Sequence, residues 1–265
     1  MLRPMFGNDD RPDRGPPSSL RGWLSDVYFP AVVDDELGPL SVRLGPRATV
    51  DDPLFGRTTG LPALDGLLKQ VREWVVRTSA VYTRGQFTTG IDRDVTEGSL
   101  SLEIDGSRVN LPVAVVAERR RSREVELRIY YATGPLKAKG VARSALVAHN
   151  NGLVLPPLVV NHLEAMRKGS IDLVVACFEA DATVTDPAGT VRANAGGDLR
   201  AYYEKLLAGG WEAHRGGAAD DGRTCAVELS LTKRGGDEIS PHPGLLIYEK
   251  GDSGLLRAVR VYDDV

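Results

Sequence analysis

The chain has 265 residues, of which 42% are hydrophobic and 26% charged, with a net charge of −3 and an isoelectric point near 5.9. That length is long for one domain and comfortable for two of about 120–130 residues. The charge gives no basic footprint for nucleic acid or an anionic membrane surface, and no apolar run approaches the ~20 residues of a membrane span.

Residues 1–17 are rich in Pro, Gly, Asp and Arg and lack an apolar stretch, so they read as a disordered leader rather than a secretion signal. Cys177 and Cys225 both sit among apolar neighbours. Without a secretion signal they are expected as buried free thiols in a cytoplasmic protein. No His/Cys spacing suggests a metal site and no glycine pattern suggests a phosphate loop, so no cofactor is expected.

Ser18 or Ser19 is placed to cap a helix that carries Leu20, Trp23, Leu24, Val27 and Tyr28 on one stripe. Gly38-Pro39 ends it. Leu40, Val42 and Leu44 then alternate as in a short strand, or form one further helical turn. Residues 48–53 read Ala-Thr-Val-Asp-Asp-Pro. The proline holds Asp52 in an extended conformation and withholds the next backbone donor, so a strand is expected to end there in a corner. Pro62 opens a helix bearing Leu64, Leu67, Leu68, Val71, Trp74 and Val75.

From Val81 the period falls to two, which predicts strands at about 80–88, 92–104, 108–118 and 124–132. Asp105-Gly106 marks one hairpin turn. The basic run Arg119 to Arg123 tops another, and its flanking acids Glu118 and Glu124 favour a solvated tip over an anion site.

Residues 135–156 have no sustained period and read as a linker lying against a surface. The earlier pattern then restarts. Val159, Leu163 and Met166 stripe a helix, Ile171 to Phe178 forms a second, and residues 182–187 repeat the corner as Ala-Thr-Val-Thr-Asp-Pro. A helix with Leu199, Tyr202, Tyr203 and Leu206 follows, then strands at about 211–217, 223–233, 243–250 and 255–263. Leu127 to Tyr131 also matches Ala258 to Tyr262. Two copies, 18–134 and 157–265, are therefore expected. Helices followed by antiparallel strands make an α+β fold, and strands this long must curl, which leaves a cone with an apolar cavity.

Phe178 to Pro187, the helix with Tyr202-Tyr203, and Gly209-Gly210 resemble the corresponding stretch of ketosteroid isomerases. These belong to the nuclear transport factor 2-like superfamily, which includes SnoaL-like polyketide cyclases and limonene-type epoxide hydrolases. The first copy is similar through residues 48–53, Phe55-Gly56-Arg57 and the helix from Pro62. The resemblance implies two tandem cystatin-like α+β cones, packed through their sheet faces as an internal pseudo-dimer.

For chemistry, it implies a base at Asp52 and at Asp186, with an oxyanion donor at Tyr28 and at His162. The third member of the isomerase trio falls near Val115 in one copy and near Gly244 or Leu245 in the other, where no acid stands. A complete steroid isomerase site is therefore absent. Similarity to tandem epoxide hydrolase/cyclases pairs Asp186 with Glu212, with His214 on the same strand face; a register shift of one residue would turn Glu212 from the cavity. Similarity to SnoaL-like cyclases implies a site at Asp263, where the first copy has Ala132. Trp211 is expected in the pocket wall.

Each of these residues also has a structural role available. Asp52 and Asp186 can cap their own turns, Tyr28 can be a core tyrosine, and Asp263 can be a solvated terminus. The expected function is acid/base catalysis on an apolar small molecule. The alternatives are a non-catalytic ligand-binding protein and an epoxide hydrolase/cyclase. The protein is expected as a monomer or a further homodimer, with no nucleic acid or membrane partner.

Overall fold

The computed structural model describes residues 23–120, 124–141, 143, 146–150, 152–233 and 242–263. The leader, the Ser18/Ser19 cap and Arg121 to Arg123 of the basic run lie outside these residues.

Helix α1, Leu24–Val33, buries Leu24, Val27 and Tyr28 of the expected stripe, and Phe29 besides, whereas Trp23 precedes the helix and is 46% exposed. Helix α2, Leu37–Leu44, occupies the segment whose alternation permitted a strand. Its burial shows why the helix forms: Leu40, Ser41 and Leu44 are inside while Val42 is 82% exposed, a helical spacing rather than a period of two. Strands β1, Thr49–Asp52, and β2, Gly56–Thr59, flank the Asp52-Pro53 corner. Helix α3, Ala63–Arg77, carries the expected apolar face. Four long strands complete the unit: β3 Val81–Thr89, β4 Arg93–Ile104, β5 Ser107–Arg119 and β6 Val125–Tyr130.

The second unit repeats this order with helices α4, Pro157–Arg167, and α5, Ile171–Val175. Strands β7, Phe178–Thr185, and β8, Val191–Ala193, surround the second corner, and α6, Asp198–Ala208, follows. The long strands are β9 Trp211–Asp220, β10 Thr224–Lys233, β11 His242–Lys250 and β12 Leu256–Asp263. The two six-stranded sheets have matching orders, β2-β1-β6-β5-β4-β3 and β8-β7-β12-β11-β10-β9. Each corner strand pairs in parallel with the last strand of its unit, β1 with β6 and β7 with β12. The sheets are thus mixed where an antiparallel sheet was expected, because the corner brings that strand back beside the end of the meander.

Alternation along the strands builds two kinds of core. Leu100, Leu102, Leu127 and Ile129 point to the helices of the first unit. Val227, Leu229, Tyr248 and Val259 do so in the second. The opposite faces meet each other: Val95, Val116 and Tyr130 pack with Ala226, Leu245, Ile247 and Tyr262. The chain is two α+β units of matching topology, joined back to back through their sheets as an internal pseudo-dimer.

Ion pairs cross this interface twice in related ways. Arg128 on β6 donates to Glu228 of β10 through Nε at 2.5 Å and Nη2 at 2.8 Å, and the Tyr130 hydroxyl donates to Glu228 at 2.7 Å. On the other side Arg260 donates to Glu97 of β4 at 2.6 and 2.9 Å, and Tyr262 donates at 2.8 Å. Arg93 adds a further contact to Glu228 at 2.8 Å. A Cβ on Gly217 would fall 1.7 Å from the Arg93 guanidinium, so glycine is required there for the approach. Burying charges costs solvation, and satisfied pairs of this kind fix register more than they add stability.

The linker runs along both units. Arg143 donates to Asp51 at 2.7 Å and to the Ile129 carbonyl at 2.9 Å, while the Asn150 amide donates to the Arg215 carbonyl at 2.8 Å. Cys177 and Cys225 are buried free thiols. Among the described residues no helix is long and apolar enough to cross a membrane.

Candidate functional site

A cavity of about 880 Å³ opens between the sheet and helices of the second unit. Leu206, Leu229, Leu231, Leu246 and Val261 give it apolar walls, and Trp211 stands among them. Ala132, Gly134, Pro135 and His149 reach it from the end of the first unit and the linker.

Strand register shows how the two units differ at the positions that line this cavity. Glu97 and Glu228 hold equivalent interface positions, and counting from them aligns Tyr82 of β3 with Ala213 of β9 through the pairs Tyr82–Leu100 and Ala213–Leu231. The same count aligns Val113 with Gly244, which pair with Gly98 and Leu229. Tyr130 and Tyr262 stand opposite Ala114 and Leu245, which sets Tyr131, and not the expected Ala132, against Asp263, because the strand pairing shifts the alignment of the two last strands by one residue. At three equivalent positions the first unit thus has Tyr, Val and Tyr where the second has Ala, Gly and Asp. Tyr82 lies over Gly98 and stacks on Phe29 with ring centroids 5.4 Å apart. Val113 and Tyr131 are buried in the core of the first unit, and the partly buried Tyr82 packs against it.

The expected first site is buried. Asp52 is 1% exposed, and its Oδ1 accepts from the Leu54 amide at 2.8 Å, the Phe55 amide at 3.2 Å and the Tyr131 hydroxyl at 2.7 Å. Burial raises its pKa, and the hydrogen bond from Tyr131 offsets part of that rise. Tyr28 is fully buried, and its hydroxyl has no hydrogen-bond partner among the described residues. Asp52 caps its own turn through the Leu54 and Phe55 amides, and Tyr28 is packed in the core of the first unit.

In the second unit, Asp186 lines the cavity but also caps its turn. Its Oδ1 accepts from the Ala188 amide at 3.1 Å and the Thr190 amide at 2.8 Å, and its Oδ2 from Arg192 at 3.2 Å. His162, one of the walls, is wholly buried, with Nε2 3.0 Å from the Tyr203 hydroxyl and Nδ1 3.3 Å from the Tyr248 hydroxyl. Burial lowers its pKa to about 3, so the ring is neutral and donates through one nitrogen only. Both nitrogens are engaged by protein hydroxyls, which leaves the imidazole no proton to offer a ligand. The expected donor role is corrected on that ground.

Glu212 and His214 stand opposite Thr232 and Ser230, whereas Ala213 stands opposite the wall residue Leu231. Alternation therefore turns both from the face that carries Ala213, although both border the cavity. His214 Nε2 lies 3.2 Å from the Thr232 hydroxyl, and its ring is 5.3 Å from that of His149. Asp263 lies on the face of β12 shared with Val259 and Val261, and it lines the cavity.

Tyr202 was legible only as part of a helix stripe. It lines the same cavity, and its pKa is raised by burial, then by the charges of Asp263 and Asp186. Sequence periodicity marks its side of α6 as apolar; only β7 and β12 lying side by side bring the two carboxylates to it. Among the described residues no three His, Cys, Asp or Glu side chains cluster closely enough to hold a metal ion.

No family profile matches the chain, and no curated protein matches it. Solved structures do match it in fold. A polyketide cyclase candidate from Sinorhizobium meliloti is 21% identical, covering 40% of this chain and 94% of its own, with a TM-score of 0.35. The epoxide hydrolase/cyclase-like enzyme of pyran ring formation in the polyether salinomycin is 18% identical over 41% of this chain and 88% of its own, with a TM-score of 0.36. A protein with a ketosteroid isomerase-like fold from Catenulispora acidiphila, in complex with trimethylamine, is 14% identical over 42% and 88%, with a TM-score of 0.36. Each spans about two-fifths of this chain, the share of one tandem domain. They concern fold and carry nothing about chemistry.

Proposed function

We propose that the protein binds an apolar small molecule in the cavity of its second unit, with the first unit serving as its built-in folding partner. The observation that supports this reading is the contrast between equivalent positions: Ala213, Gly244 and Asp263 line the cavity of one unit, while Tyr82, Val113 and Tyr131 pack in or against the core of the other. A cavity of 880 Å³ with apolar walls and a few polar groups has the form of a ligand site. A second reading, acid/base turnover of the ligand, is favoured by Tyr202 lying near two carboxylates, since a carboxylate and a phenol can exchange a proton with a bound group. The Asp186 carboxylate already accepts from two amides and Arg192, so a proton taken from a ligand would compete with those bonds for its lone pairs.

The test is a thermal-shift panel of steroid-like enones, phenols, polyketide-like diketones and terpene or polyether epoxides. It is run on wild type and on Ala213→Tyr, which imports the plug of the first unit. A ligand at about 100 times its Kd adds about 2.7 kcal/mol, a rise of a few degrees. Stabilisation of wild type that Ala213→Tyr abolishes supports the reading. Stabilisation that survives the plug, or an inert panel, sinks it. Turnover requires in addition that Tyr202→Phe or Asp263→Asn slow conversion of whichever compound binds.

A further inference from the structure

A chain of three polar side chains ends at the second cavity. His162 Nδ1 lies 3.3 Å from the Tyr248 hydroxyl, and its Nε2 lies 3.0 Å from the Tyr203 hydroxyl. Phe178, Tyr203 and Tyr248 pack around the imidazole with ring centroids 5.4, 5.5 and 5.4 Å away. The ring is neutral, so it carries one N–H and one bare nitrogen, and each phenol brings one O–H. Three protons thus serve two hydrogen bonds, and one proton is left over.

The tautomer decides which end keeps it. With the proton on Nδ1, the imidazole donates to Tyr248 and accepts from Tyr203, which strands the Tyr248 proton. Tyr248 is 1% exposed in the apolar core of the second unit and is not part of the cavity lining. Its hydroxyl has no other hydrogen-bond partner among the described residues. With the proton on Nε2, Tyr248 donates to Nδ1 and Nε2–H donates to the Tyr203 oxygen. The spare proton then belongs to Tyr203, which lines the cavity and has His162 as its one hydrogen-bond partner among the described residues.

A buried donor without an acceptor loses its hydration with nothing in return, whereas a cavity can supply water or a ligand oxygen. The Nε2–H arrangement is therefore favoured. Its bonds all point one way, which polarises the final donor. Among the described residues the first unit does not repeat this chain. The hydroxyl of Tyr28, its counterpart of His162, has no partner there, and Ala117 stands where the second unit has Tyr248.

We infer that the Tyr248–His162–Tyr203 chain presents the Tyr203 hydroxyl to the second cavity as a hydrogen-bond donor, and that the ligand meets it with a carbonyl or ether oxygen on an apolar body. This rests on the reading that a small molecule occupies the cavity, and it selects acceptor-bearing ligands from those that apolar walls alone would admit.

An isosteric pair tests it: acetylnaphthalene and isopropenylnaphthalene differ only in C=O against C=CH2. Titrated calorimetrically into the full chain, the ketone should bind about fivefold tighter than the alkene. In Tyr203→Phe that preference should fall below about twofold, while the alkene binds as before. The carbonyl stretch of the bound ketone should be lowered in wild type and restored in Tyr203→Phe, a change that altered packing alone would not produce. Nitrogen NMR of labelled histidine, assigned through His162→Phe, should show Nε2 protonated and Nδ1 bare. The NMR and infrared measurements on wild type carry the decision if Tyr203→Phe is not folded by circular dichroism. A proton on Nδ1 would overturn the inference, as would a ketone preference that survives Tyr203→Phe or is lost in Tyr202→Phe instead. Equal binding of the two compounds, abolished by Ala213→Tyr, would leave the cavity reading standing and remove only this one. If neither binds, the cavity reading falls and takes the inference with it.

Discussion

Replacing Glu228 by alanine should cost more than replacing its symmetry mate Glu97, although each carboxylate accepts from an arginine and a tyrosine across the interface. Glu228→Ala strips Arg128 of bonds at 2.5 and 2.8 Å and removes the acceptor of Tyr130 and of Arg93. Arg128 is 0% exposed, so water cannot replace them. Breaking a buried pair by deleting one partner costs about 3–5 kcal/mol. Here Arg128 keeps Glu118 at 2.8 Å, which places the cost near the lower end, about 3 kcal/mol. Glu97→Ala also strands an arginine, but the Arg260 side chain is 17% exposed and retains Glu249 at 3.0 Å, so its cost should be about 1–2 kcal/mol. Urea unfolding followed by tryptophan fluorescence measures both through the shift in midpoint at constant slope. Equal costs, or a loss under about 1 kcal/mol for Glu228→Ala, would refute the argument that burial of the stranded arginine sets the penalty.

Two acid-side effects should separate by pH. His162 is held near pKa 3 while an unfolded histidine titrates near 6.5, so the unfolded state gains the proton first as pH falls. Stability should drop progressively from about pH 6.5 downward, by roughly 5 kcal/mol at full effect below about pH 3, and His162→Phe should flatten that slope. Glu228 behaves differently: burial pushes its pKa up, but Arg128, Arg93 and Tyr130 outweigh this and lower it. Its contribution is full above the unfolded value of about 4.3 and disappears as pH falls through the lower folded value, so Glu228→Gln should change the profile only below about pH 5. Asp52→Asn should alter stability at pH 7 by less than about 1 kcal/mol, because the amide oxygen can accept the same three donors and the buried charge is gone; a loss above 2 kcal/mol in urea would contradict the cap. Tyr82→Ala should destabilise the first unit by about 2 kcal/mol through lost packing, read in the same unfolding assay, since this partly buried ring lies over Gly98 and stacks on Phe29.

The sequence by itself determined the two-unit α+β plan. Period-two runs place the eight long strands to within a few residues, because alternation between a core face and an opposite face is a local constraint on each strand. The two Asp-Pro corners and the matching Arg-x-Tyr segments of β6 and β12 reveal the repeat, and with it the pairing of the units. Local signals failed where a neighbour decided the outcome. Leu40 to Leu44 carries apolar residues compatible with either period, and packing against α3 makes it a helix. Asp52 and Asp186 look alike in sequence, and only the tertiary structure makes one a sealed cap and the other a cavity wall, because position 131 is a tyrosine and position 263 an aspartate. The chemistry of Tyr202 was likewise invisible along the chain, since its two carboxylate neighbours come from distant strands that are brought together only when the corner strand pairs with the last. Spacing along a chain sets which face a residue takes; what waits on that face is set by the strand register.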